Sequence, residues 1–244
     1  MKPLEIASHE GIVIRPGFFG PGFDARIEYY PSTEGFCIFH AEPGGWRTDG
    51  RVKFSLGHEL GHYYLPEHRE RLLSGKRHNS ESDFTSRDPI ELQADEFSAD
   101  LLMPMPLFRQ ALNQFRNGFC DLDDLGKLTE QLGTSLTSTA RRYCESDREA
   151  CTIFFSRNGY MHWGSASQDM RLLGMYWCDS GKSPPAGSMT AELWEKIARG
   201  EPAEKIGGRV RADVWFKWPK AEFLWEEARP LSLGRVITQL TPDD

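Results

Sequence analysis

His58-Glu59-Leu60-Gly61-His62 places two imidazoles four residues apart with a carboxylate directly after the first. Residues at that spacing share one face of a helix, so both rings can reach a single cation. Glu59 can then stand beside the cation without ligating it, where it can take a proton from a water that the metal acidifies. Five residues of this pattern also arise by chance. Here they fall in a stretch with an apolar face (Phe54, Leu56, Leu60, Tyr63, Tyr64), where charged groups without partners would be costly. Gly61 keeps its turn slim and invites a strand or a substrate to approach.

A catalytic zinc needs a third protein ligand and an open position. The downstream donors are Glu67, His68, His78, Glu81, Asp83, Glu91, Asp95 and Glu96, of which Glu91 is best placed. It opens a second helix, and Asp95 follows one turn later on the same face, suited to hydrogen-bond a ligand imidazole. The competing reading of Glu91 is a capping box with Asp88. His68 and His78 lie in a polar stretch and read as solvated, although either could enter the cleft. An oxyanion partner would come from Tyr63, Tyr64, His68 or His78, with Tyr63 and His78 carried forward.

The elements that must hold these groups follow from local signals. Short strands are expected at Gly11 to Arg15, Ala25 to Tyr30 and Gly35 to His40, and a helix from Arg51 to Leu65, stopped by Pro66. Residues 67 to 87 read as a loop with at most one helical turn. Asp88-Pro89 starts a helix to Leu102, and Pro104 and Pro106 start another that ends at Gly118. Leu122, Leu125, Leu128 and Leu132 form an apolar stripe, then Gly133 breaks to a second short helix, giving a helix-turn-helix outline. From Asp121 to Arg148 there are six acids against four bases, and Arg141 and Arg142 are the main cations of the second helix, which argues against direct DNA binding. Beyond residue 150, Thr152 to Phe155 and Tyr160 to Trp163 flank Asn158-Gly159 as a hairpin. Further strands are expected at Val210 to Phe216, Glu222 to Trp225 and Arg235 to Leu240, with a helix near Thr190 to Arg199. Val214-Trp215-Phe216-Lys217-Trp218 puts aromatics on both faces of such a strand. The tryptophans here read as core or as the lining of a sensing pocket.

The 244 residues allow one large or two small domains, and a net charge of -7 excludes a non-specific polyanion binder. Five widely spaced cysteines fit neither a disulfide framework nor a cysteine zinc knot. The first ten residues carry no apolar core of signal-peptide length, and no apolar run approaches the ~20 residues of a bilayer span. The expected location is the cytoplasm, with no membrane partner.

Phe54-Ser-Leu-Gly-His58-Glu59-Leu-Gly-His62-Tyr63, followed by Glu91-Leu-Gln-Ala94-Asp95-Glu-Phe97-Ser98-Ala99-Asp-Leu101-Leu102-Met103-Pro104, resembles the ImmA/IrrE metallopeptidases. The family pattern is H-E-L-G-H and then E-x-x-A-[DN]-x-F-A-x-x-L-L-M-P, from which Ser98 departs by standing where Ala is usual. The resemblance covers about half the chain. It implies Zn2+ on His58, His62 and Glu91, a general base at Glu59 and a supporting role for Asp95. It also implies a protein substrate, a helix-turn-helix repressor controlling stress-response or mobile-element genes. The expected fold is α+β. A zincin-like metallopeptidase domain with a small sheet spans residues 1–118, a helical segment 119–148, and a β-rich C-terminal domain of sensing or substrate-binding role 149–244. The alternative is a non-catalytic regulatory protein, binding DNA or a repressor, on a metallopeptidase fold.

Overall fold

The computed structural model describes residues 2–20, 23–44, 48–75, 88–115, 119–176 and 179–243. In chain order these form α1 (Pro3–His9), β1 (Val13–Gly17), β2 (Ala25–Tyr30), β3 (Gly35–Ala41), α2 (Asp49–Tyr64), α3 (Pro66–Leu73), α4 (Pro89–Leu102) and α5 (Met105–Leu112). There follow α6 (Leu122–Leu132), α7 (Leu136–Glu145), β4 (Thr152–Arg157), β5 (Tyr160–Ala166), α8 (Gln168–Leu172), α9 (Met189–Ala198), β6 (Ile206–Arg211), α10 (Ala212–Trp215), β7 (Phe223–Leu231) and β8 (Arg235–Pro242). The fold is α+β, with two separate sheets and two compact units. One unit comprises Met1–Met105 with Leu132–Ser135, the other Pro106–Gln131 with Leu136–Asp244. The helices α6 and α7 thus group with the C-terminal sheet. Among the described residues no helix is long and apolar enough to cross a membrane.

In the first unit the strand order is β1-β3-β2, with β1 parallel and β2 antiparallel to the central β3. Pro16 is tolerated in β1 because that strand lies at an edge. The helix α2 begins where Thr48 caps it by accepting from the Arg51 N–H. Arg51 also grips the carboxylate of buried Asp24 through two hydrogen bonds, tying the first turn to the start of β2. Leu56, Leu60 and Tyr63 then pack on Ile27, Phe36 and Ile38 of the sheet. Each such side chain contributes about 1.5–3 kcal/mol on burial.

The opposite side of α2 is covered by α4, and the two helices approach closely because Gly57 and Gly61 line the crossing. A Cβ on Gly57 would lie 2.5 Å from Ser98 Oγ, and one on Gly61 would lie 3.1 Å from Ala94 Cα. What approaches slim Gly61 is therefore α4, in place of the expected strand or substrate. Ser98 uses its hydroxyl to donate to the Phe54 carbonyl at 2.7 Å, a bond the usual alanine cannot make. Gly57→Ala is expected to lower stability by about 1–3 kcal/mol by overpacking this seam. In a Ser98→Ala background the penalty should shrink, since the nearest remaining approaches are 3.3 and 3.4 Å. A double-mutant cycle on urea midpoints reads that coupling, and additive penalties would mean that Ser98 is not the obstacle.

The second unit is built on an antiparallel sheet of order β5-β4-β8-β7-β6. Its first hairpin turns at Asn158 and Gly159, both at positive φ (51° and 82°), as the Asn-Gly pair requires. Leu122, Leu125 and Leu128 of α6 are buried as their spacing predicts. Segment Val210 to Phe216 departs from expectation. Only Val210 and Arg211 remain in a strand, and Ala212–Trp215 forms a helical turn. Trp215 is drawn inward by stacking on Phe154 (4.9 Å, 15°) and by donating its indole N–H to Glu226 at 2.9 Å. Glu226 is fully buried and also accepts from the Thr190 N–H and hydroxyl. Burial pushes its pKa up. The alternating faces of a continued strand would not deliver that indole to that carboxylate.

Candidate metal centre

The chain from Phe54 to Tyr63 is buried at every position, which puts His58, Glu59 and His62 out of water at 1, 0 and 2% exposure. Such groups persist only with partners. Asp88 caps α4 by accepting from the Ile90 N–H, and Pro89 fits the first helical turn. This start sends Glu91 and Asp95, one turn apart, toward α2. One carboxylate oxygen of Glu91 lies 3.3 Å from His58 Nε2 and the other 3.7 Å from His62 Nε2. The two Nε2 atoms are themselves 3.0 Å apart. One donor atom from each of His58, His62 and Glu91 falls within 4.8 Å of the others. The Glu91 carboxylate is thus turned to the imidazoles.

Two imidazole nitrogens and a carboxylate crowded around one point need something positive between them, a proton or a cation. Two imidazoles and one carboxylate are also donors that suit zinc. The residues therefore fit a divalent metal. Asp95 Oδ1 accepts from His58 Nδ1–H at 2.8 Å, which leaves His58 Nε2 as the metal-facing atom. Burial pulls the His58 pKa down. The hydrogen bonds to Asp95 and Glu91 and the charge of Glu59 outweigh it, and the result is pushed up to about 10. The surroundings of this ring are thus strongly negative and stabilise a cation. Glu59 is steadied from the sheet, its Oε2 accepting from the Ile27 N–H of β2 at 2.8 Å.

Several expected residues lie elsewhere. Tyr63 does not reach the site: its hydroxyl donates to Glu10 at 3.1 Å, and its ring packs edge-on against Phe36 at 5.1 Å. One residue past His62 on a helix is another face, and that face meets the sheet. Tyr64 is half-exposed and stacks on Phe97. His78, Glu81 and Asp83 lie outside the described residues. His68 is not solvated. It is 2% exposed on α3, a two-turn helix where a loop was expected, and its Nδ1 lies 3.1 Å from His62 Nδ1. The signal that could have revealed it is Leu65-Pro66, where the backbone turns extended and restarts a helix.

Residues 46–143 match the peptidase M78 family model, described as the IrrE N-terminal-like domain. Over this stretch the chain is similar to the ImmA/IrrE family. No curated protein matches it. The match gives the three converging donors a peptidase context and contains both helices that supply them. It also contains α6 and most of α7. In α7, Arg142 is buried, and both Arg141 and Arg142 contact Glu145. Cys37, Cys120, Cys144 and Cys151 are buried thiols, and no disulfide joins any described pair. In the second unit, Trp215 and Trp218 line a cavity of about 740 Å³ with Phe154, Tyr176, Lys182 and Lys217.

Proposed function

We propose that the chain is a zinc-dependent endopeptidase that cleaves a specific protein substrate, a helix-turn-helix repressor in a stress-response or mobile-element regulatory pair. The reading rests on the convergence of His58, His62 and Glu91 beside Glu59, within a domain of a peptidase family. The repressor comes from the family resemblance alone. The site for sensing or substrate selection would be the aromatic cavity of the second unit.

His58 Nε2, His62 Nε2 and the Glu91 carboxylate would hold the cation. When bound, it supplies Lewis-acid polarisation of a carbonyl oxygen and acidifies water. Asp95 keeps the His58 ring in the orientation that presents Nε2. Glu59 takes the proton from the attacking water and delivers it to the amine nitrogen that leaves. The Ile27 N–H holds Oε2 of that carboxylate and so limits its rotation during both transfers.

Elemental analysis of the purified chain is expected to find about one zinc per molecule, and His58→Ala should lose it while remaining folded. A well-folded wild-type chain that takes up no zinc on incubation would leave only a regulatory protein without this chemistry. Substrate is found by capturing partners on the Glu59→Gln protein and asking whether the wild type cuts them. Captured partners that the wild type leaves intact would sink the endopeptidase reading.

A further inference from the structure

Glu91 faces the Nε2 side of the His62 ring, and the opposite side is occupied as well. His62 Nδ1 lies 3.1 Å from His68 Nδ1, and His68 Nε2 lies 2.9 Å from Gln93 Oε1. The two rings are 5.0 Å apart and inclined by 40°. His68 is brought there by the break at Leu65, after which Pro66 opens α3 and carries the chain back over His62. Gln93 stands on α4 between Glu91 and Asp95, at the surface.

The order of donors along this chain is fixed from its outer end. An amide oxygen only accepts, so the hydrogen of this contact sits on His68 Nε2. A neutral imidazole carries one N–H, so His68 Nδ1 must accept, and His62 Nδ1 must donate. His62 Nε2 is then left with its lone pair, and that is the nitrogen 3.0 Å from His58 Nε2 and 3.7 Å from Glu91. Asp95 achieves the same for His58 with a carboxylate. A carboxylate behind His62 would add a fourth buried negative charge to Glu59, Glu91 and Asp95. A neutral His–Gln pair orients the ring without that cost.

We propose that His68 and Gln93 form a positioning relay that holds His62 in its Nδ1–H tautomer, ready to present Nε2 to a metal. The proposal rests on the metal reading above. Asp95 and the relay are then two unlike supports for two like ligands, one charged and one neutral.

The test compares the wild type with His68→Leu, His68→Gln and Gln93→Lys. Zinc affinity is measured by chelator competition, and the His62 tautomer by nitrogen NMR of the metal-free protein. Glutamine at 68 offers an oxygen to His62 and an N–H to Gln93, so it should hold zinc within about threefold of wild type, whereas His68→Leu should bind about 10–100-fold more weakly. His62 should be mainly Nδ1–H in the wild type and mixed in His68→Leu. Gln93→Lys, at an exposed position, puts a donor opposite His68 and should move the His62 hydrogen toward Nε2. Undiminished affinity in His68→Leu, or His68→Gln as weak as His68→Leu, overturns the relay, and so does a His62 tautomer unchanged in His68→Leu, because mere packing would change stability and not the tautomer. Wild type without zinc overturns the metal reading instead, and the tautomer measurement still decides the relay.

Discussion

Glu59→Gln is expected to keep metal binding within a few fold of wild type and to slow peptide hydrolysis by about 10²–10⁴-fold. The substitution is nearly isosteric and leaves His58, His62 and Glu91 unchanged. What it removes is the ability to accept a proton. The amide oxygen can still take the Ile27 N–H bond at the position Oε2 now holds, so the side chain should stay where it is. The measurement is turnover of the trapped substrate beside metal content on the same preparation. A variant that binds zinc and cleaves at the wild-type rate would show that another group moves the proton. A variant that lost zinc as well would mean that the charge of Glu59, which acts on His58, is needed for binding.

Gly50→Ala is expected to destabilise the first unit by about 3 kcal/mol or more, at or beyond the usual range of overpacking. Helix propensity alone predicts the opposite, since alanine in a helix is favoured over glycine by about 1 kcal/mol. Sterics decide the sign. A Cβ at Gly50 would lie 2.1 Å from the Thr134 carbonyl oxygen, 2.2 Å from its carbon and 2.8 Å from its Cα. All three are backbone atoms, so no rotamer change relieves the overlap, and either α2 or the turn at Leu132–Ser135 must move. Gly126→Ala serves as the comparison. Only an Arg229 guanidinium nitrogen, at 3.3 Å, lies within 4 Å of its new Cβ, so that substitution should be neutral or mildly stabilising. Urea unfolding reads both. A Gly50→Ala protein of wild-type stability would mean that the turn does not sit on α2.

The shared face of His58 and His62 and the phase of Glu91 on its helix were legible because both are local, whereas the meeting of the two helices was implied by the family resemblance. The spacing of four is a helix property, and Asp88-Pro89 sets the phase of α4 within a turn. The strands β2 and β3 were legible for the same reason, since Pro31 and neighbouring turn residues bound two runs of strand-forming side chains. Most of the errors involve partners supplied by another element of the fold. Tyr63 belongs to an apolar face and to a candidate site equally well until the sheet and Glu10 claim it. His68 reads as solvated in a polar stretch, and only the fold shows that His62 and Gln93 take both of its nitrogens. The aromatic run at Val214–Trp218 has the composition of a strand. A buried acid eleven residues beyond Trp215, Glu226, bends it into a helical turn. Gly61 announced a close approach, but nothing near it in sequence says that α4 is what approaches.

His58 and His62 come from α2, and Glu91 comes from α4, a helix separated from it by more than twenty residues of chain. A cation held by all three is therefore a reversible cross-link between two helices whose seam is otherwise glycine against small side chains. Mass action would then couple melting temperature to the free concentration of that ion, adding about 4 kcal/mol when it is a thousand times above its dissociation constant. The same coupling runs backward. Anything that parts α4 from α2 must first release the ion, so the domain's opening rate becomes a readout of metal supply.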